Sequence, residues 1–206
     1  MDKLELIVVG GKPYSGKSSI SEGLVKKDKT GSIRHLSIGE RLRGISSGKI
    51  KSIYSDVLKA NADDLKKHAP VSKETSLGVF LEFVNEKPAK LILLDGYPRY
   101  LNRLEGFNQA LKDINATIIA VCRVQVSDEV VHKRSLLREQ RYKDTPEDRD
   151  FVEKRLNDFK NDSLTVLEIL EKEYPSYVLN GLDPVEENIT KLQKIYNSNS
   201  KLNKLF

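Results

Sequence analysis

Apolar runs alternate with amphipathic stretches along the chain. Five runs read as strands: residues 4–9 (LELIVV), 33–38 (IRHLSI), 91–95 (LILLD), 117–124 (TIIAVCRV) and 176–180 (SYVLN). The longest are nearly all apolar, as strands covered on both faces must be. Helical patterns fill residues 17–27, 72–86, 101–112, 128–140, 146–172 and 184–196. The second of these opens on Ser72, a capping residue, ahead of an apolar stripe of Leu77, Phe80, Leu81 and Val84. Alternation of this kind predicts an α/β fold of three layers, with a five-stranded parallel sheet between helices.

Two segments do not fit simple crossovers. Residues 39–69 are mostly helical in pattern but lie between the second and third strands, together with a further helix. Part of that connection is expected to form a small helical subdomain. Residues 138–146 are polar and charged, with the ring of Tyr142 as their one apolar group. They read as a short loop over a site.

Of the 206 residues 38% are hydrophobic and 32% charged, a polar but foldable mixture. No apolar run approaches the roughly 20 residues that cross a bilayer. The first residues lack the pattern of a secretory signal, so a cytoplasmic location is expected. Cys122 is the sole cysteine, which excludes an internal disulfide framework and a multi-cysteine zinc site. It lies in an apolar run and reads as core packing. His35, His68 and His132 show no paired or metal-ligand spacing and read as structural or surface residues. The net charge of +5 suits nucleic acid, or a site that gathers anionic phosphates. Arginines cluster at Arg99 with Arg103 and between Arg134 and Arg155, which favours a local site.

The first strand runs into Gly11-Lys12-Pro13-Tyr14-Ser15-Gly16-Lys17-Ser18, a match to G-x-x-x-x-G-K-S that opens a helix. Its glycines let successive backbone N–H groups face one anion. The following helix adds the positive end of its dipole. Lys17 would reach the outer phosphates of a nucleotide, and the hydroxyl of Ser18 or Ser19 would approach Mg²⁺. A flexible Gly/Ser turn is the alternative. A chance match in such a chain is on the order of one percent from average residue usage, and the strand–loop–helix context lowers it further. Asp95 ends an apolar strand, where open α/β sheets place their sites. It is a candidate to hold a metal through water; a turn or cap aspartate is the other choice.

Beyond the loop, HLSIGERLR (35–43), LLDGYPR (93–99), RSLLREQR (134–141), EKRLNDF (153–159) and VLNGLDPVEEN (178–188) follow in order. With the loop they resemble adenylate kinases and their nucleoside monophosphate kinase relatives over nearly the whole chain. The resemblance implies a P-loop kinase core (1–38, 72–137 and 147–206), an acceptor-binding subdomain (39–71) and a short lid (138–146). It implies Mg²⁺ with ATP as co-substrate and AMP as the default acceptor, in a monomer without nucleic-acid or membrane partners. ATP would be held by Gly11, Pro13, Tyr14, Ser15, Gly16, Lys17, Ser18, Ser19, Arg134, Arg138, Gly181 and Leu182. The acceptor would lie against Ser37, Ile38, Gly39, Arg43, Val71, Gly96, Tyr97, Arg99 and Arg103. Lys17, Arg99, Arg134, Arg138, Arg141 and Arg155 would carry catalysis, and Ser18 with Asp95, through water, the metal. Guanidinium groups suit phosphate because they bind its oxygens in pairs and keep their charge.

The chain departs from the family pattern at named positions. Tyr14 replaces a glycine, Ser18-Ser19 a glycine–threonine, and Ile38 a threonine. Lys143-Asp144 stands for an acidic pair. Arg103 replaces the glutamine that reads adenine, and arginine has no acceptor to offer the base. A CMP, UMP or GMP kinase, or a nucleotide-binding module with weak kinase activity, stays open on these grounds.

Overall fold

The computed structural model describes residues 3–66, 69–141 and 149–200, without the side chains of residues 66 and 138–141. Strand β1 (Leu4–Gly11) is buried through its middle on both faces. Its side chains alternate between two cores: Leu6 and Val8 enter one, Ile7 and Val9 the other. Strands β2 (Ile33–Ser37), β3 (Leu91–Asp95), β4 (Ala116–Gln125) and β5 (Ser176–Asn180) complete the sheet. Among the described residues all five lie parallel, in the order β2-β3-β1-β4-β5. The chain therefore builds to one side of β1 and then to the other. A crevice opens at the carboxyl ends of the strands where the direction reverses.

Helices α1 (Lys17–Lys27) and α10 (Val185–Asn199) cover one face. Ile20 and Leu24 meet Ile189 and Leu192 there, over Ile7, Leu91 and Leu93. On the other face lie α2 (Ile38–Ser46), α5 (Lys73–Glu86), α6 (Leu104–Asp113) and α9 (Leu164–Glu173). At the centre of that core Phe107 packs edge-on against Phe80 and Tyr97, its ring 5.4 Å from each, and those two stack on one another. Each such buried side chain contributes about 1.5–3 kcal/mol of apolar burial. The end of β4, α7 (Asp128–Arg141) and α8 (Arg149–Asp158) enclose a smaller cluster of Val126, Val131, Val152 and Leu156.

The connection between β2 and β3 holds α2, α3 (Ser55–Ala60), α4 (Ala62–Lys66) and α5. Leu58 and Leu65 bury against the core that α5 lines. Two expectations are corrected. Ile38 does not end a strand; β2 stops at Ser37, and Ile38 opens α2 with its side chain in the core. The helical stretch expected over 146–172 runs unbroken through the described residues from 149 onward, as α8 and α9 with a π turn at Phe159–Ser163 between them. Such turns widen the helix by one residue and re-aim its side chains. Of the loop expected at 138–146, residues 138–141 are instead the last turn of α7, and residues 142–146 lie outside the described residues. Among the described residues no helix is long and apolar enough to cross a membrane.

Candidate active site

The phosphate loop leaves β1 and enters α1 through Gly16, whose φ of 98° is open to glycine far more readily than to other residues. Lys12 turns outward: its Nζ donates to the Val126 carbonyl at 3.0 Å and pairs with Asp128 at 2.6 Å. Lys17 turns inward. Its Nζ donates to the Lys12 carbonyl at 3.3 Å and lies 4.0 Å from Asp95 Oδ1. Ser18 Oγ donates to Asp95 Oδ2 at 2.5 Å, whereas Ser19 is exposed on α1. Ser18 is therefore the hydroxyl beside the carboxylate.

Asp95 is almost fully buried. Burial pushes its carboxyl up, but the Lys17 charge, the neighbouring His35 and the Ser18 hydroxyl outweigh it and hold the group below the usual carboxylate range. His35 Nε2 stands 3.7 Å from Asp95 Oδ2, so this histidine belongs to the site rather than to the surface. Its available signal is the period of two: His35 shares a strand face with Ser37, which is paired in register with Asp95.

Two adjoining clefts open at this end of the sheet. The first encloses about 710 Å³, partly open to solvent, and is lined by Gly11, Pro13, Lys17, Gly96, Arg99 and Arg155. The π turn contributes Phe159 and Ser163 to the same wall, next to Asp158. The sequence patterns missed these three, because their aim depends on the turn. The second cleft, about 500 Å³, is lined by Ile38, Gly39, Arg43, Val71, Tyr100 and Arg103. Gly96, Tyr97 and Arg99 border both. Arg99 is steadied by its Nε, which donates to the Gly96 carbonyl at 3.1 Å. Arg43 Nη1 and Arg99 Nη2 converge beside Gly39, 3.4 and 3.9 Å from where a Cβ on it would stand. Five cationic side chains thus face the two clefts, a field that gathers anions.

Other candidate residues have protein partners. Arg134 donates to the carbonyls of Tyr14 (3.2 Å), Ser15 (3.0 Å) and Gly181 (2.6 Å), bracing the outside of the phosphate loop. Leu182 beside it is exposed, its N–H bonded to Asn180. Arg103 donates to Ser76 Oγ at 3.0 Å and to the Val71 carbonyl at 2.6 Å, and lies over the Tyr100 ring. Arg155 donates to the Tyr14 hydroxyl at 2.8 Å. The side chains of Arg138 and Arg141 lie outside the described residues.

Residues 10–172 match the AAA domain family. The adenylate kinase of Helicobacter hepaticus is 32% identical over 140 residues, 66% of this chain and 68% of that protein. The chain belongs to the AAA domain family and to the adenylate kinase-like family. Similarity reaches further at lower identity. The adenylate kinase of Campylobacter jejuni (strain RM1221) is 27% identical over 202 residues, covering 93% of this chain and 99% of the relative. That of Parabacteroides distasonis is 22% identical over 193 residues, covering 93% and 97%. As an adenylate kinase-like protein the chain is an ATP-dependent phosphotransferase of the nucleoside monophosphate kinase family. Its phosphate loop, Lys17 and the arginine-lined clefts are the parts such a kinase needs, since phosphoryl transfer rests on positioning and charge stabilisation.

Proposed function

We propose that the protein transfers the γ-phosphoryl group of ATP reversibly to a nucleoside monophosphate, with AMP, the acceptor implied by its relatives' name, as the default. The observation that carries this reading is the pair of clefts joined at Arg99, with Lys17 in one and Arg43 and Arg103 in the other. ATP takes the first cleft, against Gly11–Ser19. The acceptor takes the second, against Ser37–Gly39, Arg43, Val71 and Arg103. Residues 39–71 act as the acceptor subdomain and 138–146 as the lid that excludes water. Arg99 sits between donor and acceptor and neutralises the oxygens of the group in transfer, with Lys17 and Arg155 beside it. Arg134 supports the loop that cradles the donor, and Arg138 and Arg141, in the last turn of α7, complete the catalytic set. The acceptor's phosphate is already anionic, so the reaction needs no general base.

Ser18 Oγ and the ionised Asp95 carboxylate are hard oxygen donors in contact with each other, a set that fits Mg²⁺, with Asp95 acting through water. Bound there with ATP, Mg²⁺ would supply further neutralisation of phosphate charge.

One observation favours a different acceptor. Arg103 already donates to the Val71 carbonyl, an acceptor that an exocyclic amine would use, and its other N–H groups suit a base edge of carbonyl oxygens. GMP or UMP is the second reading. A coupled assay with ATP·Mg and AMP, CMP, UMP and GMP decides. Highest kcat/KM with AMP supports the first reading. Preference for GMP or UMP, shifted towards AMP by Arg103→Gln, supports the second. Tight ATP binding with no acceptor turned over overturns both and leaves a nucleotide-binding regulatory module.

A further inference from the structure

Tyr14 stands in the phosphate loop at φ 60°, a left-handed conformation that costs energy for a residue with a large side chain. Such a conformation persists where surrounding contacts over-determine it. Here the ring packs on the small apolar cluster of Val126, Val131, Val152 and Leu156. The guanidinium of Arg155, from α8, lies 4.8 Å from the ring centroid. Its Nη1 donates to the Tyr14 hydroxyl at 2.8 Å. Arg155 at the same time lines the first cleft with Lys17 and Arg99.

We propose that Tyr14 is a positioning residue that fixes Arg155 against the phosphate site. The ring holds the guanidinium over its face, and the hydroxyl fixes one of its nitrogens. Arginine carries several rotatable bonds, and restricting them before ligand binds removes that ordering cost from binding and from the transition state. α8 is thereby attached to the phosphate loop itself, and its arginine shares the first cleft with Lys17.

The inference rests on the kinase reading above, and the test separates the two. Full-length wild type, Tyr14→Phe, Tyr14→Gly, Arg155→Ala and the double variant Tyr14→Gly/Arg155→Ala are assayed for turnover with a saturating acceptor. Tyr14→Gly is expected to lower kcat about tenfold and raise KM for ATP about threefold, with KM for the acceptor unchanged, as a misplaced charge does. Tyr14→Phe keeps the ring and is expected to lose about threefold. Arg155→Ala is expected to lose about 100-fold, and the double variant no more than Arg155→Ala alone. Losses that multiply in the double variant, or a Tyr14→Gly enzyme as fast as or faster than wild type, overturn the proposal. If wild type turns over no monophosphate, the kinase reading fails on its own account. The same cycle is then read in the Kd for ATP·Mg by calorimetry, where coupled losses support the Tyr14 role and multiplied losses overturn it.

Discussion

The Lys17 ammonium is held between the Lys12 carbonyl and the Asp95 carboxylate, so its position is set by the loop and by β3 together. Lys17→Met keeps the length of the stem and removes the charge. Its kcat/KM is expected to fall by about 100-fold or more, the cost of losing one charge-stabilising donor, with a far-ultraviolet spectrum like that of wild type. A coupled assay and circular dichroism check both halves. Cys122 illustrates burial acting alone. It is buried in β4, and desolvation pushes its thiol up to about 12. An unfolded thiol ionises near about 8.5, so its contribution to stability is fully present below that pH and is lost as the pH rises above it. Urea unfolding at pH 7.5 and 10 is expected to show a steeper loss for wild type than for Cys122→Ala. A thiol reagent at pH 8 is expected to react with Cys122 after unfolding and hardly at all before.

α5 couples two parts of the proposed site. Ser72 caps it by accepting from the Thr75 N–H at 3.0 Å, and Ser72→Ala is expected to cost about 1 kcal/mol in urea unfolding. Further along, Gly78 lets the helix approach Tyr54, the residue before α3. A Cβ on Gly78 would stand 1.8 Å from the Tyr54 hydroxyl oxygen and 2.4 Å from Cζ. Gly78→Ala gains about 1 kcal/mol of helix propensity but forces Tyr54 and α3 aside at about 1–3 kcal/mol. The expected outcome is a protein that is no more stable and has a raised KM for the acceptor, while KM for ATP is unchanged. Equal changes in both constants would contradict the assignment of 39–71 to the acceptor. The π turn acts at the same scale: it places Phe159 and Ser163 in the wall of the first cleft.

For the molecule as a whole, the proposal implies that ATP·Mg binds the folded state and not the unfolded one. At about 100 times its Kd it is expected to stabilise the fold by about 2.7 kcal/mol, a rise in Tm of about 5–10 °C for a chain of this size. Lys17→Met is expected to remove most of that rise. A scan of Tm against ATP·Mg concentration in both proteins measures it.

Local chemistry by itself determined the strands, the phosphate loop and most of the helices. A buried parallel strand needs an apolar run, as in Leu91–Asp95, and a phosphate-binding turn needs glycine and lysine at set offsets, as in Gly11–Ser18. Both requirements are met within a dozen neighbouring residues. The tertiary structure alone decided which side chains meet. His35 lies beside Asp95 because β2 pairs with β3. Arg134 braces the loop, Arg103 takes the Val71 carbonyl, and Arg155 lies over Tyr14, across separations of 32 to 141 residues. The periodicity of a chain records which faces are buried. A long, many-donor side chain is compatible with several acceptors, and its partner is settled by strand order and by the turn that aims its helix.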